Sequence, residues 1–330
     1  MKSKILSAVL IVLMAAFANG CRDYKTKTKI NSDGTCERTV VVSGDSSEVA
    51  NPASLPFPIP VDASWNIEKR KDTSEKNKFY YSATKKFNDV NLLSDEYRNK
   101  EKFGIDIAFS KSFRWFYSYF TYEETYKAFF PFRLIPLKSF LTPDEYEKYL
   151  ADDTTKTLRK RLDDFASENY IEYFFNVISS AAEKHSLKDL SKEKLLSKKD
   201  YFKNNIDKEG NDKSSLINFL EKTFGVKSIR EIKPEIELAY DEITVQMELI
   251  SKGDGSYENE VAMPGIILNT NSKSIVGNAV SWKVDSKRFC FEDFSMQVES
   301  RVVNVWAFVV SAIIVLAAVV LLVLPRFKKR

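Results

Sequence analysis

One histidine, three cysteines and ten glycines in 330 residues remove several kinds of chemistry at the outset. His185 would have to serve any Ser-His-Asp or Cys-His arrangement alone, and no G-x-S-x-G elbow accompanies it, so no such catalytic group is expected. Its place beside Lys184, at the end of a charged helical segment, is that of a solvated imidazole. Three separated cysteines and one histidine supply no ligand cluster for a metal. The ten glycines form no phosphate-cradling loop, and no cofactor is expected. Asn31-Ser32-Asp33-Gly34 and Gly253-Asp254-Gly255 echo fragments of a calcium loop. Lys29 stands where the first needs an acid and Lys252 faces the second, so both are read as hairpin turns.

Acids are missing from both ends, and the ends are the most legible part of the chain. Lys2 and Lys4 precede an apolar run from Ile5 to Phe17, too short to cross a bilayer, and then Ala18, Asn19, Gly20 and Cys21. The order is that of a secretory signal, residues 1–20, cleaved at the Ala16-Phe17-Ala18 site or before a lipidated Cys21 in a lipobox-like Ala18-Asn19-Gly20-Cys21. At the other end Val305 to Leu324 carries no charge and is long enough to span a hydrocarbon core of roughly 30 Å. Trp306 sits as an interfacial anchor, and the basic tail from Arg326 to Arg330 marks the cytoplasmic side. A transmembrane helix over 303–325 and a cytoplasmic tail over 326–330 are expected. The part between, 21–302, would be periplasmic, in a bacterial inner-membrane protein. Six of the 50 basic residues belong to these ends, leaving 44 against 46 acids between them. The apparent basicity is therefore topogenic, and no nucleic-acid partner is implied.

With Cys21 lipidated, Cys36 and Cys290 remain as an even pair in an oxidising compartment, and a disulfide from the first hairpin to the last strand is expected. The alternative is two buried thiols.

The middle of the chain has no internal repeat. Asp23 to Ile30 and Thr35 to Ser43 alternate around a turn and read as a hairpin whose lysines guard an edge. Four prolines between Asn51 and Ala63 imply an extended cover segment. Lys78 to Phe87 reads as a strand. Phe109 to Phe132 holds twelve aromatic residues in 24, which favours a strand buried on both faces. Thr142-Pro143-Asp144-Glu145 opens a helical region reaching Ile232, with a long helix ending near Lys184, a Lys-rich one within Leu187 to Asn205, and another from Asp212 to Phe224 capped by Gly225. Alternation at Ile243, Val245, Met247 and Leu249, again at Val280, Trp282 and Val284, and finally at Phe294, Met296 and Val298 predicts closing strands. The fold expected is one α+β domain, an antiparallel sheet of N- and C-terminal strands with a helical insertion over 142–232, although two domains would fit as well.

Paired acids occur at Asp95-Glu96, Glu123-Glu124, Asp152-Asp153, Asp163-Asp164 and Glu292-Asp293. In so charged a chain these read as solvated surface, with a reservation for Glu123 and Glu124 inside the aromatic stretch. That stretch offers the one binding feature: Trp115, Tyr117, Tyr119 and Tyr122 as apolar surface with polar tips around a lipidic ligand, or else a core strand under the helices.

The run from Phe113 to Tyr126 and the closing residues Met263-Pro264-Gly265, Asn269, Trp282, Ser300-Arg301, Asn304 and Trp306-Ala307-Phe308 resemble those of uncharacterised Bacteroides-type envelope proteins with a signal peptide and a C-terminal transmembrane helix. More remotely, the order of lipobox, Ser-Asp-Gly hairpin, α+β domain and terminal span is similar to LppM-like lipoproteins, which implies lipid binding. The expectation is a membrane-tethered, non-enzymatic domain that binds a lipid or other apolar ligand. The alternatives are an envelope scaffold that recruits a partner protein through its helices and, third, a hydrolase built on paired carboxylates.

Overall fold

The computed structural model describes residues 22–44, 49, 59–72, 78–98, 104–128, 130–151, 155–210, 212–252, 255–285 and 288–327. The signal segment, Cys21, Asp152-Asp153, most of the proline-rich stretch and the Gly253-Asp254 turn lie outside them. In chain order the elements are β1 (Asp23–Ile30), β2 (Cys36–Gly44), β3 (Asn66–Asp72), β4 (Lys78–Phe87), α1 (Asn91–Arg98), β5 (Ile105–Arg114) and β6 (Tyr117–Tyr126). Then come α2 (Leu137–Phe140), α3 (Pro143–Leu150), α4 (Lys156–Lys184), α5 (Lys192–Ser197), α6 (Lys199–Glu209), α7 (Lys213–Phe224), a 3₁₀ turn (Lys227–Ile232) and α8 (Lys233–Lys252). The chain closes with β7 (Ser256–Ala262), β8 (Ile266–Thr270), β9 (Ser274–Val276), β10 (Ala279–Asp285), α9 (Arg288–Phe291), β11 (Phe294–Val303) and α10 (Val305–Phe327).

The α+β class holds, but the strands make two sheets, not one. A seven-stranded sheet runs β3-β4-β2-β1-β7-β10-β9 and a four-stranded sheet β5-β6-β11-β8. Nor is the larger sheet purely antiparallel, because β1 pairs with β7 in parallel. The β1–β2 hairpin forms as expected, with Tyr24, Thr26, Thr28 and Ile30 inward. Its lysines do not guard an edge: β1 is an interior strand, and Lys25 and Lys27 meet Glu258 and Glu260 on the neighbouring β7. A ladder of opposite charges on the solvated face suits strand pairing as well as a row of like charges would oppose it.

The aromatic run is not one strand buried on both faces. It folds back at Trp115-Phe116, so that β5 and β6 form a hairpin with Arg114 opposite Tyr117. Phe113, Trp115 and Phe116 are exposed, and only one parity of β6 (Ser118, Phe120, Tyr122, Glu124, Tyr126) is buried.

The helical signals hold at Thr142, whose side chain makes the full capping box with Glu145, at α4, and at α7, where Asp212 caps the start and Gly225 the end with φ of 68°. The expected strand over Ile243 to Leu249 is instead the second half of α8, and the helical region extends to Lys252. Its apolar residues alternate by coincidence. The positions that decide the structure are Ile236, Ala239 and Ile243, at helical spacing, which join the core formed by α4, α5, α6 and α7.

Buried apolar residues fall into three clusters. The two sheets share one, the helices form a second, and a third at their junction joins Phe130, Phe132, Leu162 and Phe165 to Phe291. Cys36 lies in the first and Cys290 in the third, so the expected bond between them is not formed. Burial pushes the Cys36 thiol up to about 11, the behaviour of a small apolar group.

Two measurements follow from these corrections. In the Cys21→Ser variant, unfolded without reductant, a maleimide should label both remaining thiols, whereas a blocked pair would restore the disulfide. Ile236→Ala should lose about 2–5 kcal/mol of unfolding free energy while Val245→Ala stays within about 0.5 kcal/mol. A strand in which residues 243, 245, 247 and 249 face the core would reverse that order.

Candidate functional site

The β5–β6 hairpin has three surfaces, and the four aromatic residues expected to share a ligand are divided among them. Tyr122 points inward, Tyr117 and Tyr119 lie on the outer face of the sheet, and Trp115 is at the tip. They line no common pocket.

The inner surface is a polar network sealed between the sheets. Arg38 on β2 and Glu124 on β6 are both inaccessible to solvent and meet in a two-pronged ion pair, Nη1 to Oε2 at 2.9 Å and Nη2 to Oε1 at 2.5 Å. Arg38 also donates to Thr28 Oγ1 at 2.6 Å, and the Tyr97 ring of α1 covers its guanidinium. Glu124 accepts from the Tyr122 hydroxyl and from Asn259 Nδ2, each at 2.8 Å. Tyr126 and Tyr257 complete the group, their hydroxyls hydrogen-bonded to each other. Desolvation works against the Glu124 carboxylate, but the Arg38 charge and the hydrogen bonds from Arg38, Asn259 and Tyr122 outweigh it and hold the pKa below the usual carboxylate range. Burial followed by the Glu124 charge pushes the Tyr122 and Tyr126 hydroxyls well up, so they act as hydrogen-bond donors and not as bases. Every strong partner is internal. The network locks two sheets together and offers no reacting position.

Among the described residues, the other acids that sequence singled out form no shared cluster. Glu123 accepts from Gln297 on the outer face, and Glu96 pairs with Lys85. A cleft of about 340 Å³ lies where the sheets meet the helices, with Phe165 and Leu137 among its lining residues. Glu292 and Asp293 also line it, but Glu292 accepts from the Tyr146 hydroxyl at 3.0 Å and Asp293 is held by Lys127, Arg133 and the Ala128 N–H. His185 caps the end of α4 and faces Glu235 at 3.2 Å. Among the described residues no group of His, Cys, Asp and Glu could hold a metal ion.

The tip is the most built of the three surfaces. Phe113 stacks on Trp306 with ring centroids 6.1 Å apart and an interplanar angle of 5°, and Trp115 meets the same indole edge-on at 5.3 Å. Phe116 packs on Phe308 at 4.6 Å, and Trp115 Nε1 donates to Ser311 Oγ at 2.8 Å. Asn304, the single residue between β11 and α10, is the clamp. Its N–H donates to the Phe116 carbonyl, its Nδ2 to the carbonyls of Arg114 and Trp115, and its Oδ1 accepts from Ser118. Four hydrogen bonds from one side chain and its backbone fix the hairpin tip to the first two turns of α10. That helix carries no charge over Val305–Leu322, with Ser311 among its few polar groups, and is the one candidate membrane span among the described residues. Its 23 residues cover roughly 35 Å, enough for a hydrocarbon core of roughly 30 Å.

Sequence reasoning passed over Arg38, Asn259 and Arg114. Arg38 was discoverable: it occupies the same parity of β2 as Cys36, Val40 and Val42, and Glu124 the same parity of β6 as Phe120 and Tyr122. A charge of each sign on an inward face predicts a pair.

No family model matches the chain, and no curated protein matches it. Among solved structures it is similar to the folded domain of the LppM protein of Mycobacterium tuberculosis, determined by NMR, at 8% identity and a TM-score of 0.31, covering 87% of this chain and 93% of that one. So loose a superposition carries no functional weight.

Removing either member of the buried pair, as in Glu124→Leu or Arg38→Met, should cost about 3–5 kcal/mol of unfolding free energy by chemical denaturation, because the remaining charge is stranded. The double replacement should recover part of that loss, though not all, since Tyr122 and Asn259 lose their acceptor. The depressed Glu124 pKa also fixes a pH dependence. Its stabilisation is complete above the unfolded-state value of about 4.3 and disappears as pH falls through the lower folded value, so the acid limb of the stability curve should flatten in the double variant.

Proposed function

We propose that the chain is a single-pass, membrane-tethered envelope domain that acts without catalysis and binds lipid where its smaller sheet meets the bilayer, with the folded part on the periplasmic side. One observation carries this: the exposed aromatic tip of the β5–β6 hairpin is clamped by Asn304 to the first turns of the apolar helix, so it cannot lie far from the point where that helix enters the membrane. Trp115 and Trp306, rings with an apolar body and an N–H, are the side chains that partition to the headgroup level. Ile266 and Val303 extend the same apolar margin, 62% and 44% exposed.

The site differs in kind from a ligand enclosed between sheet and helices. That space is filled on the sheet side by the Arg38–Glu124 network and at the junction by packed rings, with Phe130 and Phe291 5.4 Å apart. Lipid contact is therefore assigned to the outside of the sheet.

The test is fluorescence of the full-length protein in nanodiscs whose lipids carry bromine at defined acyl positions. Bromine near the headgroup should quench a component that disappears in Trp115→Phe/Trp306→Phe, and bromine at the chain end should quench it far less. Emission indifferent to bromine at either depth would remove the tip from the bilayer and with it the proposed function.

A further inference from the structure

The outer face of the four-stranded sheet changes character along its length. The rung nearest α10 is Arg114-Tyr117-Val303 and the next is Ser112-Tyr119-Arg301. Farther out the same face carries Glu299, Glu123 and Asp106. The cations at the α10 end lack carboxylate partners among the described residues, whereas the far end mixes acids with Lys127, which holds Asp106 at 3.1 Å.

The two arginines are held in an unusual way. Arg301 stands in the second rung, yet its guanidinium carbon lies over the Tyr117 ring of the first, 4.8 Å from the centroid. Arg114 stands in the first rung and leans the other way, 5.8 Å over Tyr119. Each crosses diagonally to the tyrosine of the neighbouring rung, so the two cations flank one pair of rings from opposite sides of β6. Contact with a ring face uses the plane of a guanidinium and leaves its N–H edge open. Neither arginine has an ion-pair partner among the described residues, whereas Arg133, Arg161 and Arg230 each have a carboxylate.

Height above the bilayer follows from strand geometry. At roughly 3.3 Å per residue the first rung lies roughly 7 Å, and the second roughly 13 Å, above Val305. The interfacial layer outside the hydrocarbon core is roughly 5–8 Å deep on each side. Arg114 starts at that level and leans up toward the second rung, while Arg301 starts in the second rung and leans down toward the first, so the two cations stand on either side of β6 near the outer edge of that layer. Beside them Val303 and, paired with Arg301 across the sheet, Ile266 present apolar surface to the upper part of an acyl chain.

We infer that Arg114 and Arg301 flank the headgroup of an anionic phospholipid in the leaflet that α10 enters, the lowered Arg301 guanidinium on its phosphate and Arg114 adding charge from across β6. This rests on the proposed placement of the hairpin tip at the bilayer interface and adds the class of lipid. A guanidinium matches two phosphate oxygens at once, and two uncompensated cations favour a headgroup with net negative charge over one that carries its own ammonium. At about fivefold per cation near an anionic headgroup, the pair predicts a preference of about thirtyfold.

The experiment is native mass spectrometry of the full-length protein in detergent with phosphatidylglycerol and phosphatidylcholine added in equal amounts. Wild type should retain phosphatidylglycerol about thirtyfold over phosphatidylcholine, each single variant Arg114→Gln or Arg301→Gln about fivefold, and the double variant should be near parity. Arg114→Lys/Arg301→Lys should keep part of the preference, since charge remains and the fork does not. Circular dichroism of each variant confirms folding; should the double variant fail it, the two single variants decide. Equal retention of both lipids by wild type, or a preference that survives in the glutamine variants, overturns the assignment. Bromine quenching on the same samples separates the two levels: a quenched tip without lipid preference sinks only the arginine site, whereas an unquenched tip sinks both.

Discussion

Moving a guanidinium and a carboxylate out of water costs several kcal/mol for each ion, and only close geometry with additional hydrogen bonds offsets it. Arg38 and Glu124 meet that demand by sitting on different sheets, β2 and β6, so their contact exists only when the sheets face each other in one register. A slip of either strand by one residue would turn its charge to solvent and strand the other. Thr28, Tyr122 and Asn259 complete the pair from three further positions, on β1, β6 and β7. The apolar residues around it supply most of the driving force. The charged pair selects which arrangement of those residues is compatible with burial.

That registry reaches the end of the sheet beside α10 through β6. Its inward parity carries Glu124 and, six residues earlier, Ser118, which donates to Asn304. With Glu124 fixed against β2, Ser118 has one possible position, and so have the Trp115-Phe116 turn and the first turn of α10. The same strand therefore sets the sheet packing at one end and the attachment of the apolar helix at the other. Gly265 is the point where this arrangement is tightest: with φ of 79°, a Cβ there would come within 2.1 Å of the Arg301 carbonyl oxygen. Only a residue without one lets the chain enter β8 so close to β11.

The elements legible in sequence were those with a local cause. The β1–β2 hairpin, β4, the Thr142 cap and the Asp212-to-Gly225 helix each carry their own signal, and the structure contains all of them. The apolar closing helix was legible for the same reason. Misreadings occurred where partners far along the chain decide. Alternation at 243–249 competes with helical spacing at Ile236, Ala239 and Ile243, and packing against α4 and α7 favours the helix. The aromatic run carries no turn residue at Trp115-Phe116 to announce a reversal; the turn is stabilised from outside, by Asn304 almost two hundred residues away. The Cys36–Cys290 pairing failed on the same ground, since nothing in the spacing tells which core each thiol joins.

The four tyrosine and tryptophan positions expected to bind together were chosen by composition, and alternation separates them. On a strand, residues 117 and 119 share a face that residue 122 cannot reach. Once that is recognised, the outer pair gains its meaning from neighbours on other strands. Arg114 lies inside the aromatic run on β5, and Arg301 lies near the end of β11; only the rungs of the sheet bring them beside Tyr117 and Tyr119. Inside the sheet an arginine is matched by a carboxylate and becomes structure. Outside it, at the end nearest the apolar helix, two arginines rest on aromatic rings with no carboxylate partner among the described residues, and that opening is the one the proposed anionic lipid would fill.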